Sequence, residues 1–212
     1  MTNSANVGPG TMQPPGSPGA IAEAAFRCAI KECDNMKLDK AQKASVQGSD
    51  KPCAKLGSLK HKCVDDKMKA DPPPGSMSEP SFDMGPPGVT PPPTPALLMR
   101  SGANASSPCS NFWSGLASIY RKVGGRANYT KGRLRRPDFV VGNGTPPQTV
   151  LDAKFPCSRN VKRGAFSNRN VFPSANQTLG FTPGQDTAYE TIAGDEGRAE
   201  TVSPKDVRND KC

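Results

Sequence analysis

The chain has 212 residues, of which 34% are hydrophobic and 6% aromatic, enough for one modest core with at most a small second unit. Its 28 Lys and Arg against 19 Asp and Glu give a formal charge of +9, the sign expected for a protein that binds a phosphate-rich or an acidic partner. No segment approaches the roughly 18 to 20 apolar residues of a membrane-spanning helix, so we expect no membrane insertion.

The N-terminal third is predicted to be a disordered leader followed by a short helical region. Residues 1–19 are rich in Gly, Pro and Ser and lack the features of a Sec signal, so we expect production in a bacterial cytoplasm. Residues 20–37 carry Ala, Phe and Ile at helical spacing, and residues 51–69 read as a turn and a short helix. Residues 20–70 are thus predicted to form a cysteine-bearing helical segment.

The next stretch divides the chain. Proline removes backbone donors and fixes φ, so the Pro-rich residues 71–97 are predicted to be a linker. Beyond it, residues 98–212 are predicted to be an α/β domain that begins with a helix over 109–123, where apolar residues form one stripe.

Two strands and a helix follow. The segments "RRPDFVVG" (135–142) and "QTVLDAKFP" (148–156) read as short apolar strands, and the turn-forming "GNGTPP" between them favours an antiparallel pair. The segment "FTPGQDTAYETIAG" predicts a helix capped by Thr182 and ended by Gly194. The charged tail to Cys212 is predicted to be mostly loop.

The helical N-terminal segment contains a group of metal-ligating or disulfide-forming residue types: Cys28, Cys33, Cys53, His61 and Cys63. An odd total of seven cysteines in a reducing compartment favours free or metal-bound thiols. The spacing is not that of a standard zinc finger, so a structural Zn²⁺, disulfides and buried free thiols all stay open.

The two predicted strands hold unexpected charges. Because side chains alternate along a strand, Asp152 and Lys154 share one face while Leu151, Ala153 and Phe155 face the core. Pairing with the preceding strand would bring Asp138 to the same edge. Two converging carboxylates repel each other and favour a hard cation such as Mg²⁺ (or Mn²⁺) beside a phosphate, with the lysine stabilising developing negative charge.

These residues resemble the PD-(D/E)xK, or restriction-endonuclease-like, nuclease superfamily. Pro137–Asp138 stands 14 residues before "DAK" at 152–154, and "QDTAY" at 185–189 is similar to the Q-x-x-x-Y helix motif of its RecB-type branch. The matching region covers roughly residues 109–195. The resemblance implies a mixed sheet flanked by helices, and a metal-dependent deoxyribonuclease with little sequence specificity.

The resemblance also implies roles for individual residues. Asp138, Asp152 and the Ala153 carbonyl would bind the metal, Lys154 would be the catalytic lysine, and Gln185 with Tyr189 would brace the site or touch DNA. The segment 111–122 lacks the Glu that many members carry on the first core helix, and Asp186 and Glu190 are the weak substitutes. Gln185 also fits a capping box with Thr182.

Basic residues flank the motif on both sides and suit a phosphate track: Arg133, Arg135, Arg136, Arg159, Lys162 and Arg163. Nucleases of this kind resemble bacterial type VI or polymorphic toxin effectors, which implies a secretion-machine carrier, delivery into the cytoplasm of a target cell, and an acidic immunity protein. The alternatives are a repair or phage-type nuclease and a non-catalytic, Cys/Zn-stapled nucleic-acid-binding or adaptor protein.

Overall fold

A computed structural model describes residues 16–85, 95–99, 134–142, 147–156, 184–194 and 197–212. The predicted helix over 109–123 and four of the predicted DNA-binding residues, namely Arg133, Arg159, Lys162 and Arg163, lie outside these ranges. Within them the chain forms four helices and seven strands, so the predicted mixed α/β class is confirmed.

The helices are α1 (Pro18–Asp34), α2 (Lys40–Gln47), α3 (Pro52–Ala70) and α4 (Gln185–Ala193). The strands are β1 (Ser76–Ser78), β2 (Ser81–Asp83), β3 (Ala96–Met99), β4 (Leu134–Arg135), β5 (Phe139–Val141), β6 (Thr149–Ala153) and β7 (Arg198–Val202).

Local sequence signals explain where the N-terminal helices begin. The Ser17 side chain accepts a hydrogen bond from the Ala20 N–H, and Pro18 occupies the first turn of α1. Asp39 and Gln42 form a reciprocal capping box at the start of α2, a helix that the sequence analysis did not predict. Helix α3 spans 19 residues and is therefore much longer than the short helix predicted over 51–69.

The central sheet has four strands in the order β1-β5-β6-β7. The pairs β1–β5 and β5–β6 are antiparallel, which confirms the predicted pairing of the two motif strands, and β6–β7 is parallel. A second sheet has the order β3-β2-β4. One structural prediction is wrong, since residues 76–78 and 81–83 of the predicted linker are strands. The tail is mostly loop as predicted, with no helix or strand over 203–212, but residues 198–202 form the edge strand β7.

The central sheet buries an apolar cluster on each face. On one face, α1 and α3 pack against β5 and β6, and the rings of Phe26 and Phe139 stack with centroids 4.7 Å apart. On the other face, Val140 and Val150 pack against Tyr189 and Ile192 of α4. The N-terminal helices and the motif strands therefore share one hydrophobic core, although a linker was predicted between them.

Disulfides join the N-terminal helices to each other and to the C-terminus. Cys33 of α1 is bonded to Cys63 of α3, Cys28 is bonded to Cys212, and Cys53 is disulfide-bonded as well. Of the alternatives that the sequence leaves open, the structure shows disulfides at Cys28, Cys33, Cys53 and Cys63, and a bonded sulfur has no thiolate to offer a metal. None of the helices in the described ranges has the length and apolar character needed to cross a membrane.

The C-terminal tail is held against α1 by charged contacts in addition to the Cys28–Cys212 bond. The Arg27 guanidinium donates to the Asp210 carboxylate at 2.7 Å, and Lys31 Nζ donates to the Asp210 carbonyl at 2.6 Å. Val207 is fully buried in the cluster beneath α1. The tail is therefore part of the folded unit.

The Cys33–Cys63 bond is expected to contribute strongly to stability. Replacing both cysteines with Ala should lower the free energy of unfolding by about 3 to 4 kcal/mol, because the bond closes a 30-residue loop in the unfolded chain. Urea unfolding followed by circular dichroism measures this difference. An unchanged midpoint in the double variant would contradict the assigned pairing.

Candidate active site

The register of β5 and β6 brings the two motif aspartates together. Phe139 pairs with Leu151, so extending the ladder by one residue sets Asp138 opposite Asp152. Leu151, Ala153 and Phe155 pack in the cluster shared with α1 and α3, as predicted. Adjacent positions on β6 face opposite sides of the sheet, so Asp152 lies on the side of α4.

Asp138 is fixed through its backbone and its carboxylate. Its carbonyl accepts a hydrogen bond from the Glu79 N–H at 2.8 Å. Its Oδ2 accepts from the Ala153 N–H at 2.7 Å and lies 3.2 Å from Nδ1 of His61. The carboxylate is one-fifth exposed, so it is anchored at the end of the strand and still accessible from solvent.

Asp152 and Lys154 form an ion pair at the same edge. The Lys154 ammonium contacts Oδ2 of Asp152, and the two side chains are 19% and 6% exposed. The ammonium also donates to Oε1 of Gln185 at 3.1 Å. Because the Lys154 N–H donates to the Val202 carbonyl at 2.8 Å, β7 fixes the backbone of the lysine.

The two residues of the Q-x-x-x-Y motif connect this pair to the PD strand. Gln185 Nε2 donates to the Tyr189 hydroxyl at 2.9 Å, and that hydroxyl donates to the Arg136 carbonyl at 3.1 Å. Helix α4 begins at Gln185 with Gly184 as its N-cap and has no side-chain cap. Thr182, the cap expected from the sequence, lies outside the described residues, and the predicted end at Gly194 is confirmed.

Burial and charge act together on the titratable groups of the site. Burial and the nearby charge of Asp138 raise the pKa of Asp152 from 3.8 to about 6, although Lys154 opposes the shift. Burial lowers the pKa of His61, but its hydrogen bond to Asp138 and the charges of Asp138 and Asp152 outweigh that effect, so the net pKa is raised. The contribution of Asp152 to stability therefore falls as the pH rises from its ordinary pKa of 3.8 through about 6, because the unfolded chain loses the proton first.

The structure places His61 beside Asp138. The sequence analysis groups it with the cysteines as a possible Zn²⁺ ligand, whereas α3 carries it to Asp138, and the His61 and Phe155 rings are perpendicular with centroids 5.3 Å apart. It is the only histidine of the chain, and this was the one feature of the sequence that could have marked it as a site residue. Its partner depends on how α3 packs on the sheet, and no local pattern specifies that packing.

Glu79 is a second residue that the sequence analysis missed, since it falls in the predicted linker. It has φ 46°, in the left-handed region that residues other than Gly and Asn seldom adopt. Its carboxylate pairs with Arg136, and burial raises its pKa. The tight turn between β1 and β2 thus sets a third acid next to Asp138, whereas Asp186 and Glu190 are exposed on α4.

The donor chemistry fits a hard divalent cation in part. Two carboxylates on neighbouring strands offer oxygen ligands, and a cation would offset the cost of ionising the buried Asp152. In the described ranges no group of three or more His, Cys, Asp or Glu residues is arranged to hold a metal ion. Water and substrate phosphate would complete the coordination, as is usual for Mg²⁺.

The basic residues within reach of the site are partly engaged by the protein. Arg136 pairs with Glu79, and Arg135 donates to the Gly184 carbonyl at 3.4 Å. Both lie beside Asp138 along the chain, so a bound phosphate would compete with these contacts. Compared with known proteins, the chain matches no family model, no curated sequence and no solved structure, and the nuclease resemblance is one of motif residues alone.

Proposed function

We propose that the protein is a metal-dependent nuclease that hydrolyses DNA phosphodiester bonds with little sequence specificity. The observation that carries this proposal is that Asp138, Asp152 and Lys154 lie together at the ends of two paired strands, where Lys154 also donates to Gln185. Two acids and a lysine in that arrangement suit phosphoryl transfer to water, because the acids bind a cation and the lysine faces developing negative charge.

Each side chain has a distinct role in this proposal. Asp138 and Asp152 would hold Mg²⁺ or Mn²⁺, which supplies Lewis acidity and a more acidic bound water when present. Lys154, once its partner carboxylate is shared with the cation, would stabilise charge on the non-bridging phosphate oxygens. Gln185 holds the lysine, and Tyr189 holds Gln185.

The biological setting remains the one that the resemblance implies, an antibacterial toxin with a secretion-machine carrier and an acidic immunity protein. The disulfides bear on it, because such bonds persist in oxidising compartments and are rare in reducing ones. A secreted protein that crosses an oxidising space on its route to a target cell would acquire them there. A repair nuclease that stays in its own cytoplasm fits these bonds less well.

Plasmid cleavage tests the proposal directly. With Mg²⁺ the wild-type protein should nick and linearise supercoiled DNA, and EDTA should abolish this. Asp152→Asn and Lys154→Met should each lower the cleavage rate by about a hundredfold or more, since each removes charge that acts on the transition state. Asp71→Asn and Lys205→Met, at exposed positions away from the site, are the matched controls and should cut normally.

Equal cleavage by parent and Asp152→Asn would refute the proposal at these residues. Cleavage that persists in EDTA and is lost in His61→Ala would favour a metal-independent reaction in which the His61–Asp138 pair accepts the proton of the nucleophile. That outcome would keep the site but replace its chemistry.

The pH dependence should reflect Asp152. Its carboxyl is protonated below about pH 6, so the cleavage rate should fall on the acid side with a midpoint near that value at low Mg²⁺. Raising the Mg²⁺ concentration should move the midpoint to lower pH, because metal and proton compete for the same oxygen atoms. A pH–rate profile at two Mg²⁺ concentrations measures this shift, and a midpoint that ignores Mg²⁺ would speak against Asp152 as a ligand.

Gln185 should act through the lysine that it holds. Gln185→Leu removes the acceptor for Lys154, and we expect kcat to fall about tenfold with little change in KM, the cost of one hydrogen bond to a charged group. Thr187→Val, at an exposed position on the same helix, serves as the control. Single-turnover cleavage separates the two parameters; a rise in KM alone would assign Gln185 to DNA binding instead.

A further inference from the structure

The lysines of the N-terminal helices fall into two groups that differ in whether an acid neutralises them. From position 60 onward every lysine of α3 has a carboxylate partner within ion-pair distance. These pairs are Lys60–Asp34 at 2.5 Å, Lys62–Asp66 at 2.8 Å, Lys67–Glu32 at 2.5 Å and Lys69–Asp65 at 2.5 Å. This half of the helix therefore presents little net charge.

The second group has no acidic partner among the residues that the structure describes. It comprises Lys37, Lys40, Lys43, Lys51 and Lys55, which we call the N-terminal lysine surface, and none of these makes an ion pair in the part of the chain that the structure describes. Four of the five are exposed and Lys43 is half-buried. The acids nearby are Asp39, whose carboxylate caps α2, and Asp50. The surface keeps a net positive charge.

The backbone holds these lysines in a fixed arrangement. Lys40 and Lys43 are three residues apart on α2 and share a helix face. Lys51 is the N-cap of α3, and Lys55 lies in the first turn of that helix. The two helices pack together through Leu38, Val46 and Leu56. Cys53, between the α3 lysines, is disulfide-bonded and ties this end of the helix down.

Helix α3 connects the lysine surface to the candidate active site. His61 lies beside Asp138 on this helix. At a rise of about 1.5 Å per residue, Lys55 and Lys51 precede His61 by about 9 and 15 Å along the helix axis. A DNA strand carries one phosphate per ~3.4 Å of duplex axis, so this distance corresponds to roughly three to four base pairs.

We propose that the N-terminal lysine surface binds the phosphate backbone of duplex DNA a few base pairs from the bond that is cut. This inference rests on the proposed nuclease function and extends it from the catalytic edge to a second contact region, on elements that the motif resemblance does not cover. Ammonium groups on flexible stems bind phosphates without reading bases, so the contribution is sequence-independent and sensitive to salt.

An acidic protein is the competing ligand for an unpaired basic surface. DNA is favoured because Lys51 and Lys55 lie at the start of the helix that carries His61 to the site, at axial distances that correspond to a few base pairs of duplex. Among the described residues, the lysines of α3 from Lys60 onward are paired with acids, whereas Lys51 and Lys55 at its start are not. This difference suits a DNA substrate that extends from the site toward the start of α3.

The test compares two double variants of α3 that lose the same charge. Lys51→Gln with Lys55→Gln alters the surface, and Lys62→Gln with Lys67→Gln alters the neutralised half of the same helix. Binding of a fluorescent 30-base-pair duplex is measured by anisotropy without metal, on an Asp152→Asn background, from 50 to 300 mM NaCl. We expect the first variant to bind about tenfold more weakly at 100 mM salt, with a salt slope reduced by about 2, and the second to change less than twofold.

Cleavage by the same variants with Asp152 restored gives a second readout. The surface variant should show a raised KM with an unchanged kcat, because DNA binding and not the chemistry is affected. Equal DNA affinity and salt slope in the two double variants would overturn the inference while leaving wild-type cleavage, and so the proposed function, intact. Normal DNA binding with weakened binding to poly-L-glutamate would assign the surface to an acidic protein and overturn it too.

A wild-type protein that cuts no DNA would refute the proposed function. If that protein still bound the duplex and lost its salt slope in the surface variant, the lysine surface would stand as a DNA-binding site. The two failures are therefore distinguishable. Circular dichroism melts of all variants confirm that each is folded before binding is compared.

Discussion

The antiparallel pairing of β5 with β6 places the carboxylates of Asp138 and Asp152 opposite each other at the end of the ladder. Surrounding groups offset the repulsion between these two charges. Asp138 is stabilised by the Ala153 N–H and by His61, and Asp152 by the Lys154 ammonium. These partners come from three places. Ala153 lies on the neighbouring strand β6, His61 lies on helix α3, and Lys154 follows Asp152 by two residues along the chain. Without them, two like charges would lie on adjacent strands with little water between them.

The N-terminal helices are structurally inseparable from that edge. Phe26 stacks on Phe139, one residue after Asp138, and the Cys33–Cys63 bond ties α1 to the helix that carries His61. The Cys28–Cys212 bond and the contacts of Asp210 fix the C-terminal end of the chain to α1. A small chain with a modest core thus uses covalent links to hold its layers together.

The sequence predicted what local patterns can specify. Alternation along 149–153 identified the core face of β6, and the "GNGTPP" turn identified its antiparallel partner. The Gln185 and Tyr189 spacing placed both side chains on one face of α4, where Gln185 accepts from Lys154 and donates to Tyr189. The features that the sequence did not predict depend on contacts between residues far apart along the chain. β1 and β2 lie among prolines and are only three residues each, so they are strands because β5 and the second sheet pair with them. β7 likewise exists through its parallel pairing with β6, and the positions of His61 and Glu79 depend on tertiary packing.

If Asp138 and Asp152 together bind a divalent ion, crystals grown with Mn²⁺ will reveal it by anomalous scattering. We expect an anomalous peak within about 2.0 to 2.2 Å of one oxygen each from Asp138 and Asp152, with Lys154 moved away from Asp152. A map with no peak at this edge, and the Asp152–Lys154 pair intact at saturating Mn²⁺, would contradict this expectation.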